Sequence, residues 1–513
     1  MPFLKKAQIL PVKGIDLSVP NSYLPEGNNY TTNLKLVRGE MVKREGKETF
    51  GDVSIGAHAI LHLDSFETST LDNYLIRITK RNIQKYNTGA GLWRDVTGAL
   101  FDLSGSDTDF FSSVVAPVDD LFIFTQFVDL PRKLDNTGSD SALLGGVDFK
   151  AKFVEYLAPY VVFAYLEEGG TLIPTKMRWS DANNPELYTG GTSGSSLLVD
   201  EPSAIRGMKK LASNLFIYKE KSIYRYRKVS TEETFSNGGG PFEVGKGLFS
   251  GRAIADTGEF HAYMGNNDFH INDSVRVTDI GGPIREYIFG RINRSRSETM
   301  FALHVEIYKE VWFFITVTGV DYPTEIWKYR YDLGLWYQDT VRECPTATLY
   351  KVISSLTWDD IIPTWDSQSW AWDDRSGQAN APVPIFGFTD GFTEAGDTSK
   401  KNDVNLAYTG RLETKDFCSL DRNGELMEDT RWLQMDVFAR GNKLDAYYSK
   451  DEGSTWVFIG TKTLDEQTRK YTYWFDVVST RIRFRLENGD SDSTFTLRSF
   501  QPYFIARESN IYG

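Results

Sequence analysis

The chain has 513 residues, of which 41% are hydrophobic, 14% aromatic and 25% charged. A chain of this length is too long for one ordinary domain, so we expect two or three domains with large cores. The formal net charge of −13 argues against a protein that grips nucleic acid, because binding to phosphates requires a basic face.

The sequence contains no segment that indicates secretion, membrane insertion or a cofactor. Its N-terminus, MPFLKKAQILPVKG, lacks the apolar core of a signal peptide, and the later apolar runs are far shorter than the roughly 20 residues that span a bilayer. The only two cysteines, Cys344 and Cys418, do not have the spacing of metal ligands. We therefore expect a protein made in a cytoplasm, with free thiols, no metal and no cofactor.

Residues 1–45 are expected to form an extended N-terminal arm. They contain four of the 18 prolines, and no repeating pattern of strands is visible in them. Such a segment gains its order by lying on another surface.

Residues 46–404 repeat one pattern: an apolar run, a turn, a second apolar run and a polar stretch. Seven such units begin at Asp72, Asp119, Pro159, Asn214, Gly258, Lys309 and Val383. One small sheet cannot cover both of its faces, so repeated sheets stack and bury one another. The pattern predicts an all-β fold with a β-propeller of about seven blades.

Residues 405–513 are expected to form a C-terminal β-sandwich, because short alternating strands recur there every 10 to 20 residues. In the strand RIRFRLEN, Arg481, Arg483 and Arg485 share one face, since strand side chains alternate. This arginine face is either solvated surface or a surface that contacts an acidic neighbour.

The segment TWDDIIPTWDSQSWAWDDRS, residues 357–376, is unusually rich in tryptophan. It contains Trp358, Trp365, Trp370 and Trp372. The side chains are expected to pack between blades, with aspartates closing the adjacent turns. An exposed surface on which sugars stack is the alternative, so these tryptophans are also a possible interaction surface.

The sequence SKDEGSTW matches the Asp-box pattern of a β-hairpin. Its defining residues are Ser449, Asp451, Gly453, Thr455 and Trp456. The carboxylate accepts hydrogen bonds from the turn, the glycine supplies a positive φ and the tryptophan packs beneath. This role is architectural, because Asp boxes occur in sialidases and also in non-enzymatic β proteins.

Three further patterns resemble metal-binding, phosphate-binding or nucleic-acid-binding sites, but their residues do not meet the requirements of such sites. On a strand, His58 and His62 lie about 13 Å apart, too far to bind one metal ion. The glycine-rich residues 235–244 lack the lysine of a phosphate-binding loop. The arginines of GRINRSRS, residues 290–297, are expected to lie in a solvated loop or a subunit contact. No catalytic constellation is visible, and we expect a protein that is not an enzyme.

The arrangement resembles the tail nozzle or tail hub proteins of short-tailed phages (podoviruses). The segment that leads into the first blade contains Val37, Arg38, Gly39, Lys43, Arg44 and Gly46, which resemble the line that opens that family's propeller. MRWSDANNPELYTGG, residues 177–191, is similar to a second segment of the family, with Tyr188 at an aromatic position. The later blade sequences and the Asp box in the sandwich complete the resemblance.

The resemblance implies a structural virion protein of the bacteriophage tail. Such a protein forms a homohexamer at the distal end of the short tail, where it continues the channel below the portal and the adaptor ring, which is the head-to-tail connector. It retains packaged DNA until ejection, lets genomic double-stranded DNA pass without specific binding, and docks tail fibres or tailspikes. The negative charge would keep the DNA from sticking to the channel.

Two other functions remain open from the sequence. A sialidase-like propeller glycosidase would account for the Asp box and the tryptophans. A glycan-binding or protein-binding virion protein would use the tryptophan-rich loop as its surface.

Overall fold

The computed structural model describes residues 5–6, 10–11, 14–18, 28–70, 72–87, 90–98, 106, 110–136, 140–229, 234–351, 382–418 and 430–506. Nearly all the secondary structure in these residues is β. One short α-helix, α1 (Arg285–Phe289), and three 3₁₀ turns (Ile55–Ala57, Arg294–Thr299 and Glu306–Tyr308) are present. None of the described helices is long and apolar enough to cross a membrane.

The described residues of the N-terminal part form six short strands. They are β1 (Lys5–Lys6), β2 (Leu10–Pro11), β3 (Asn28–Thr32), β4 (Leu34–Val37), β5 (Glu40–Lys43) and β6 (Gly46–Thr49). The loop between β4 and β5 consists of Arg38 and Gly39, both with positive φ (49° and 81°). Two consecutive residues of this kind form the tight turn whose twist matches that of a hairpin.

Blades 1 to 3 of the propeller follow. Blade 1 contains β7 (Ile60–Glu67), β8 (Asn73–Thr79), β9 (Ile83–Asn87) and β10 (Leu92–Asp95). Blade 2 contains β11 (Ser112–Ala116), β12 (Leu121–Thr125), β13 (Arg132–Leu134) and β14 (Ala142–Leu143). Blade 3 contains β15 (Phe149–Leu157), β16 (Tyr160–Glu168), β17 (Thr171–Trp179) and β18 (Gly194–Leu197).

Blades 4 to 6 repeat the same antiparallel arrangement. Blade 4 contains β19 (Ile205–Leu211), β20 (Asn214–Lys219), β21 (Ser222–Lys228), β22 (Phe235–Ser236) and β23 (Glu243–Val244). Blade 5 contains β24 (Ile254–Asp256), β25 (His261–Met264), β26 (Phe269–Asn272) and β27 (Val277–Asp279). Blade 6 contains β28 (Phe301–Val305), β29 (Glu310–Ile315), β30 (Glu325–Arg330) and β31 (Leu335–Thr340).

Blade 7 is built from both ends of the propeller sequence. It contains β32 (Thr346–Tyr350), β33 (Val383–Gly387) and β34 (Thr393–Asp397), and its outermost strand is β6 from the N-terminal part. The innermost strand of every blade contacts those of both neighbouring blades, so the seven sheets form a closed circle. Hydrogen bonds between β6 and β34 therefore close the ring.

The blades bury one another's faces. The described residues contain seven apolar clusters in the propeller, and each cluster lies between one pair of neighbouring blades. The seven sequence units begin at or just before the second strand of each blade. The predicted all-β propeller with about seven blades is thus confirmed, and the repeated pattern marks the second and third strands of each blade.

The C-terminal unit is a sandwich of two sheets around one core. Its own strands are β35 (Gly410–Thr414), β36 (Phe417–Cys418), β37 (Thr430–Gly441), β38 (Lys443–Ser449), β39 (Val457–Thr463), β40 (Arg469–Val478), β41 (Arg481–Asn488) and β42 (Phe495–Ala506). The predicted all-β architecture, a propeller followed by a sandwich, agrees with this arrangement.

The segment predicted to be an arm differs from that expectation in one respect. Strands β4 and β5 extend one sheet of the sandwich through β42, and β3 pairs with β35 in the other sheet. An extended segment and the edge strand of a sheet both have unpaired backbone N–H and C=O groups. Pairing satisfies both sets, so the segment adds strands to existing sheets.

Strand β3 also connects the two units. It pairs with the outermost strand of blade 6, β31, as well as with β35. The result is one ten-stranded sheet that runs from the propeller into the sandwich.

Candidate functional site

The central channel of the propeller is the first candidate site. The innermost strands surround a cavity of about 380 Å³, whose lining includes His62 and Asp64 of β7, Ser113 of β11, Lys209 of β19 and Arg252 before β24. In many proteins a site of this kind, with several convergent polar groups, binds a ligand. What these groups do depends on their hydrogen bonds.

Ser113 links His62 and Asp64. Its hydroxyl donates to Asp64 Oδ2 at 2.5 Å, and its oxygen lies 2.7 Å from His62 Nε2. While Asp64 is ionised it can only accept, so the single hydroxyl proton is used and His62 must donate from Nε2. His62 Nδ1 is buried without a hydrogen-bond partner among the described residues. A serine nucleophile needs the opposite arrangement, in which histidine accepts the hydroxyl proton and a carboxylate orients the histidine.

Burial sets the protonation of this trio. It lowers the pKa of His62 well below its usual value, and the charges of Arg252 and Lys209 lower it further. Burial also raises the pKa of Asp64, although the hydrogen bond from Ser113 opposes the change. A neutral histidine with its proton on Nε2 serves as a donor that holds β11 against β7.

Two other polar groups of the channel also join blades: Lys209 binds the preceding blade, and Arg252 of blade 5 binds blades 1 and 7. Lys209 Nζ lies 3.4 Å from Glu155 Oε2 on the preceding blade, and this carboxylate raises the pKa of Lys209. Arg252 donates to the carbonyl oxygens of Leu61 and Pro345, at 3.1 and 3.2 Å. The channel groups are therefore occupied in fastening the blades to one another.

The second candidate site is the junction between the propeller and the sandwich, formed by Asn33, Lys43, Arg44, Asp339 and Asp403. Arg44 is buried and binds both carboxylate oxygens of Asp403, at 2.9 and 2.6 Å. Its Nε donates to Asn33 Oδ1 at 3.0 Å. Asp339, on the outermost strand of blade 6, lies 3.9 Å from the same guanidinium. One side chain thus connects three segments that are distant in sequence.

Lys43 extends the junction into the sandwich. Its buried ammonium group donates to Asn488 Oδ1 at 3.1 Å and to the carbonyl oxygens of Asp490 and Ser493, at 3.1 and 2.9 Å. Three acceptors match the three N–H donors of the lysine. The side chain therefore fixes the N-terminal segment to the last turn of the sandwich.

Gly46 begins the strand that closes the propeller. A Cβ atom at this position would lie 2.0 Å from the carbonyl oxygen of Asn402. No other residue fits without a shift of the backbone. Residues 38–46 therefore form the tight turn, the two buried cations and the close contact of this junction.

The charges of the junction stabilise one another. Burial disfavours the charged forms of Arg44 and Asp403, but their paired hydrogen bonds and opposite charges outweigh it. The pKa of Arg44 is raised and that of Asp403 is lowered. Charge-assisted bidentate pairs of this kind are strong and geometrically specific.

The Asp-box segment forms a tight turn between β38 and β39. The Asp451 carboxylate accepts from the backbone N–H and the hydroxyl of Thr455, at 2.8 and 2.6 Å, and from the hydroxyl of Ser449 at 2.7 Å. These hydrogen bonds lower the pKa of Asp451 to about 2. Gly453 has a φ of 93°, and the Trp456 ring packs against the guanidinium of Arg485 at 4.7 Å. The hydroxyls of Ser449 and Thr455 and the carboxylate of Asp451 are therefore used within the turn.

The three arginines of β41 do not form one exposed face. Arg483 is buried and binds Asp416 through two hydrogen bonds of 2.7 and 3.1 Å. Arg481 donates to Glu452 at 2.8 Å, and Arg485 lies 3.3 Å from Glu487. The alternation of the strand is as expected, but acids of the same chain cover this face. Arg483 is therefore not available to a partner.

Two further predicted motifs are the tryptophan-rich segment and the basic run. Trp358, Trp365, Trp370 and Trp372 fall outside the described residues. In the basic run, Arg291 pairs with Glu325 at 2.5 Å and Arg296 with Asp321 at 2.9 Å, so acids of the same chain partly neutralise it.

The RWSD segment belongs to blade 3. Trp179 and Tyr188 are buried there, and the Asp181 carboxylate accepts from the backbone N–H and the hydroxyl of Thr192, at 2.7 and 2.8 Å. Its polar residues shape a loop of the propeller.

Sequence reasoning missed the channel trio and the junction. His62 and Asp64 are two residues apart on one strand, so their common face was visible, but Ser113 lies on another blade. The pair of cations at Lys43 and Arg44 was visible as part of a motif. Their burial was not, because their partners lie hundreds of residues away.

No family model and no curated protein matches the chain. Among solved structures, it is similar to an exo-β-1,3-galactanase from Phanerochaete chrysosporium, with 9% identity, coverage of 89% of this chain and 100% of that chain, and a TM-score of 0.28. It is also similar to the β-propeller domain of Cps50 (Swd1) from Myceliophteria thermophila, with 13% identity, coverage of 49% and 87%, and a TM-score of 0.30. At these scores neither likeness bears on activity or partners.

Proposed function

We propose that the chain is a structural subunit of a short phage tail. In this role it forms a hexameric nozzle or hub ring that extends the DNA channel below the portal and adaptor. The ring retains packaged DNA and carries fibres or spikes. The observation that supports this proposal best is the ten-stranded sheet that joins the propeller to the sandwich.

A ring under the pressure of packaged DNA needs subunits that do not bend. Two domains joined by a mobile linker would rotate against each other. Here β3 pairs with strands of both units, and Arg44 places a buried charge between them. Lys43 fixes the same N-terminal segment to the sandwich. These contacts give the subunit the rigidity that such a ring requires.

The channel groups are also consistent with a structural role. His62, Asp64, Ser113, Lys209 and Arg252 are engaged in contacts within the propeller. Propellers have only short, protected sheet edges, so copies can be placed side by side without uncontrolled strand pairing. A ring of copies requires a heterologous interface that closes on itself.

The test is to locate the chain in phage particles. Particles from a culture that produces the chain are purified, and an antibody against it is visualised by electron microscopy while its copy number is measured by quantitative mass spectrometry. We expect labelling at the end of the tail away from the capsid and six copies per particle. Absence of the chain from the particles contradicts the proposal.

A second measurement tests the glycosidase alternative. The purified chain is incubated with a panel of chromogenic glycosides and with host surface glycans. We expect no release of sugar. Release that is lost in an Asp64→Asn variant with an unchanged fold would instead place an enzyme in the central channel.

A further inference from the structure

Blade 4 carries a concave site on its outer side that no function above uses. Strands β22 and β23 both pair with β21, β22 at Arg227 and β23 at Ile223. The residues between them, 237–242, form a loop that leaves the middle of the β21 edge unpaired. The loop and the strand enclose a space of about 590 Å³. This is within the size range of small-molecule sites.

The walls of this site present hydrogen-bond donors. Arg225 and Arg227 are two residues apart on β21 and so share one face. Arg225 uses one of its nitrogens to donate to the carbonyl oxygen of Ser274 at 3.0 Å, and its guanidinium lies 5.1 Å from the centre of the Phe242 ring. Both Arg225 and the exposed Arg227 line the site.

The loop side adds two more donors. Asn237 Oδ1 accepts from the backbone N–H of Gly239 at 3.0 Å, which leaves the amide NH₂ group as the free end of the side chain. Ser236 Oγ accepts from the backbone N–H of Gly238 at 3.4 Å, so its hydroxyl proton is available to donate. The turn thus uses the acceptor oxygens of Ser236 and Asn237, and the donor groups of both side chains remain for a ligand.

The site is positively charged. No aspartate or glutamate is among the described residues that line it. Burial and, to a smaller extent, the like charge of Arg227 lower the pKa of Arg225. Gly238 and Gly239 have φ values of 71° and 94°, and a Cβ at either position would point into open space. A glycine backbone of this kind allows a ligand to approach closely.

We propose that this site binds the phosphate group of a small ligand. Two arginines with planar, forked donors match the oxygens of a phosphate, and an amide and a hydroxyl complete the set. A duplex nucleic acid is the less suitable source of phosphate, because it needs an extended basic face and the chain has a net charge of −13. The proposal does not depend on the tail role.

The test is isothermal titration of the purified full-length chain with inorganic phosphate and with adenosine monophosphate. We expect saturable binding with a Kd of about 1 mM or tighter. Arg227→Gln removes an exposed cation, and Asn237→Asp keeps the oxygen that accepts from Gly239 but replaces the donor with a negative charge. Each variant is expected to weaken binding about tenfold or more, because hydrogen bonds to charged groups are strong.

Arg94→Gln is the matched control, since Arg94 is an exposed arginine on the outermost strand of blade 1. It should leave the affinity unchanged. Circular dichroism and the melting temperature show whether each variant is folded. Undetectable phosphate binding by the unmodified chain overturns the proposal, as does equal affinity in Arg227→Gln and Asn237→Asp. Binding of a short DNA duplex, with no binding of the two small phosphates, assigns the site to nucleic acid and also overturns it.

Discussion

The central channel and the junction both contain buried charged side chains, but they use them in different ways. In the channel, Ser113 connects neutral His62 to Asp64, and the charged groups border a cavity of about 380 Å³. At the junction, Arg44 and Asp403 form a bidentate pair packed against the Tyr408 ring, 3.7 Å from the guanidinium carbon. The cavity beside Arg44 and Asp339 has a volume of only about 80 Å³, so the channel leaves much more room for water than the junction does.

The propeller ring is therefore closed by a different kind of contact from the one that joins the propeller to the sandwich. The ring is closed by β6, by the stacked blade faces and by several small polar contacts, so loss of one contact leaves the others. At the junction, Arg44 binds Asp403 through two hydrogen bonds, and a second cation, Lys47, makes one contact of 3.3 Å with this carboxylate. We therefore expect substitutions at the junction to cost more than substitutions in the channel.

The largest effect is expected for Arg44→Met. The variant removes the bidentate partner of Asp403, which keeps Lys47 at 3.3 Å, while Asp339 keeps Lys328. Breaking a buried ion pair costs about 3–5 kcal/mol, and the remaining cations place the loss at the lower end of that range. The free energy of unfolding is measured by chemical denaturation with tryptophan fluorescence. Arg431→Gln, which breaks the exposed pair with Asp476, is the control and should cause no measurable change. Equal stability of the two variants would contradict the distinct role of the junction.

Gly46→Ala tests the strand that closes the propeller. The added Cβ would overlap the carbonyl oxygen of Asn402, and overpacking of this kind costs about 1–3 kcal/mol. Amide hydrogen exchange is expected to accelerate in β6 and β34 before other blades. Gly460→Ala is the control, because a Cβ there meets open space. Unchanged exchange in blade 7 would show that β6 does not limit opening of the ring.

The junction should also respond to acid. The pKa of Asp403 is lowered below its ordinary value of 3.8, since Arg44 and Lys47 outweigh the effect of burial. The unfolded chain therefore binds this proton more readily, so the contribution of Asp403 is present above about pH 3.8 and is lost as the pH falls further. Melting temperatures from pH 6 to pH 3 should fall more steeply for the unmodified chain than for Asp403→Asn. Parallel curves would mean that Asp403 has no part in the acid response.

The smallest effect is expected for Ser113→Ala in the channel. The variant removes one hydroxyl and leaves Asp64 and His62 to water in the adjacent cavity, at a cost of about 1 kcal/mol. Chemical denaturation gives the value, with the Arg44→Met variant measured in parallel. A loss as large as that of Arg44→Met would show that the channel contacts are as important as the junction.

The local features of the junction could be predicted from the sequence, but the partners of its charged side chains could not. The segment VRGEMVKREG indicates a turn followed by two cations, because Gly39 permits a positive φ and Lys43 and Arg44 are adjacent in sequence. Nothing in the sequence near Lys43 indicates Asn488, which lies 445 positions away. For Arg483, strand alternation predicted its face, but Asp416, which covers it, comes from a different strand connection.

The sequence by itself determined the all-β class and indicated about seven blades, because each blade must place apolar side chains on both faces of its second and third strands. That requirement repeats along the chain and is visible locally. Only the tertiary structure decided which polar groups meet in the channel, which strand closes blade 7 and which acids neutralise the buried arginines. Those contacts join segments that are far apart in sequence, and their stability comes from burial and charge pairing that no local pattern records.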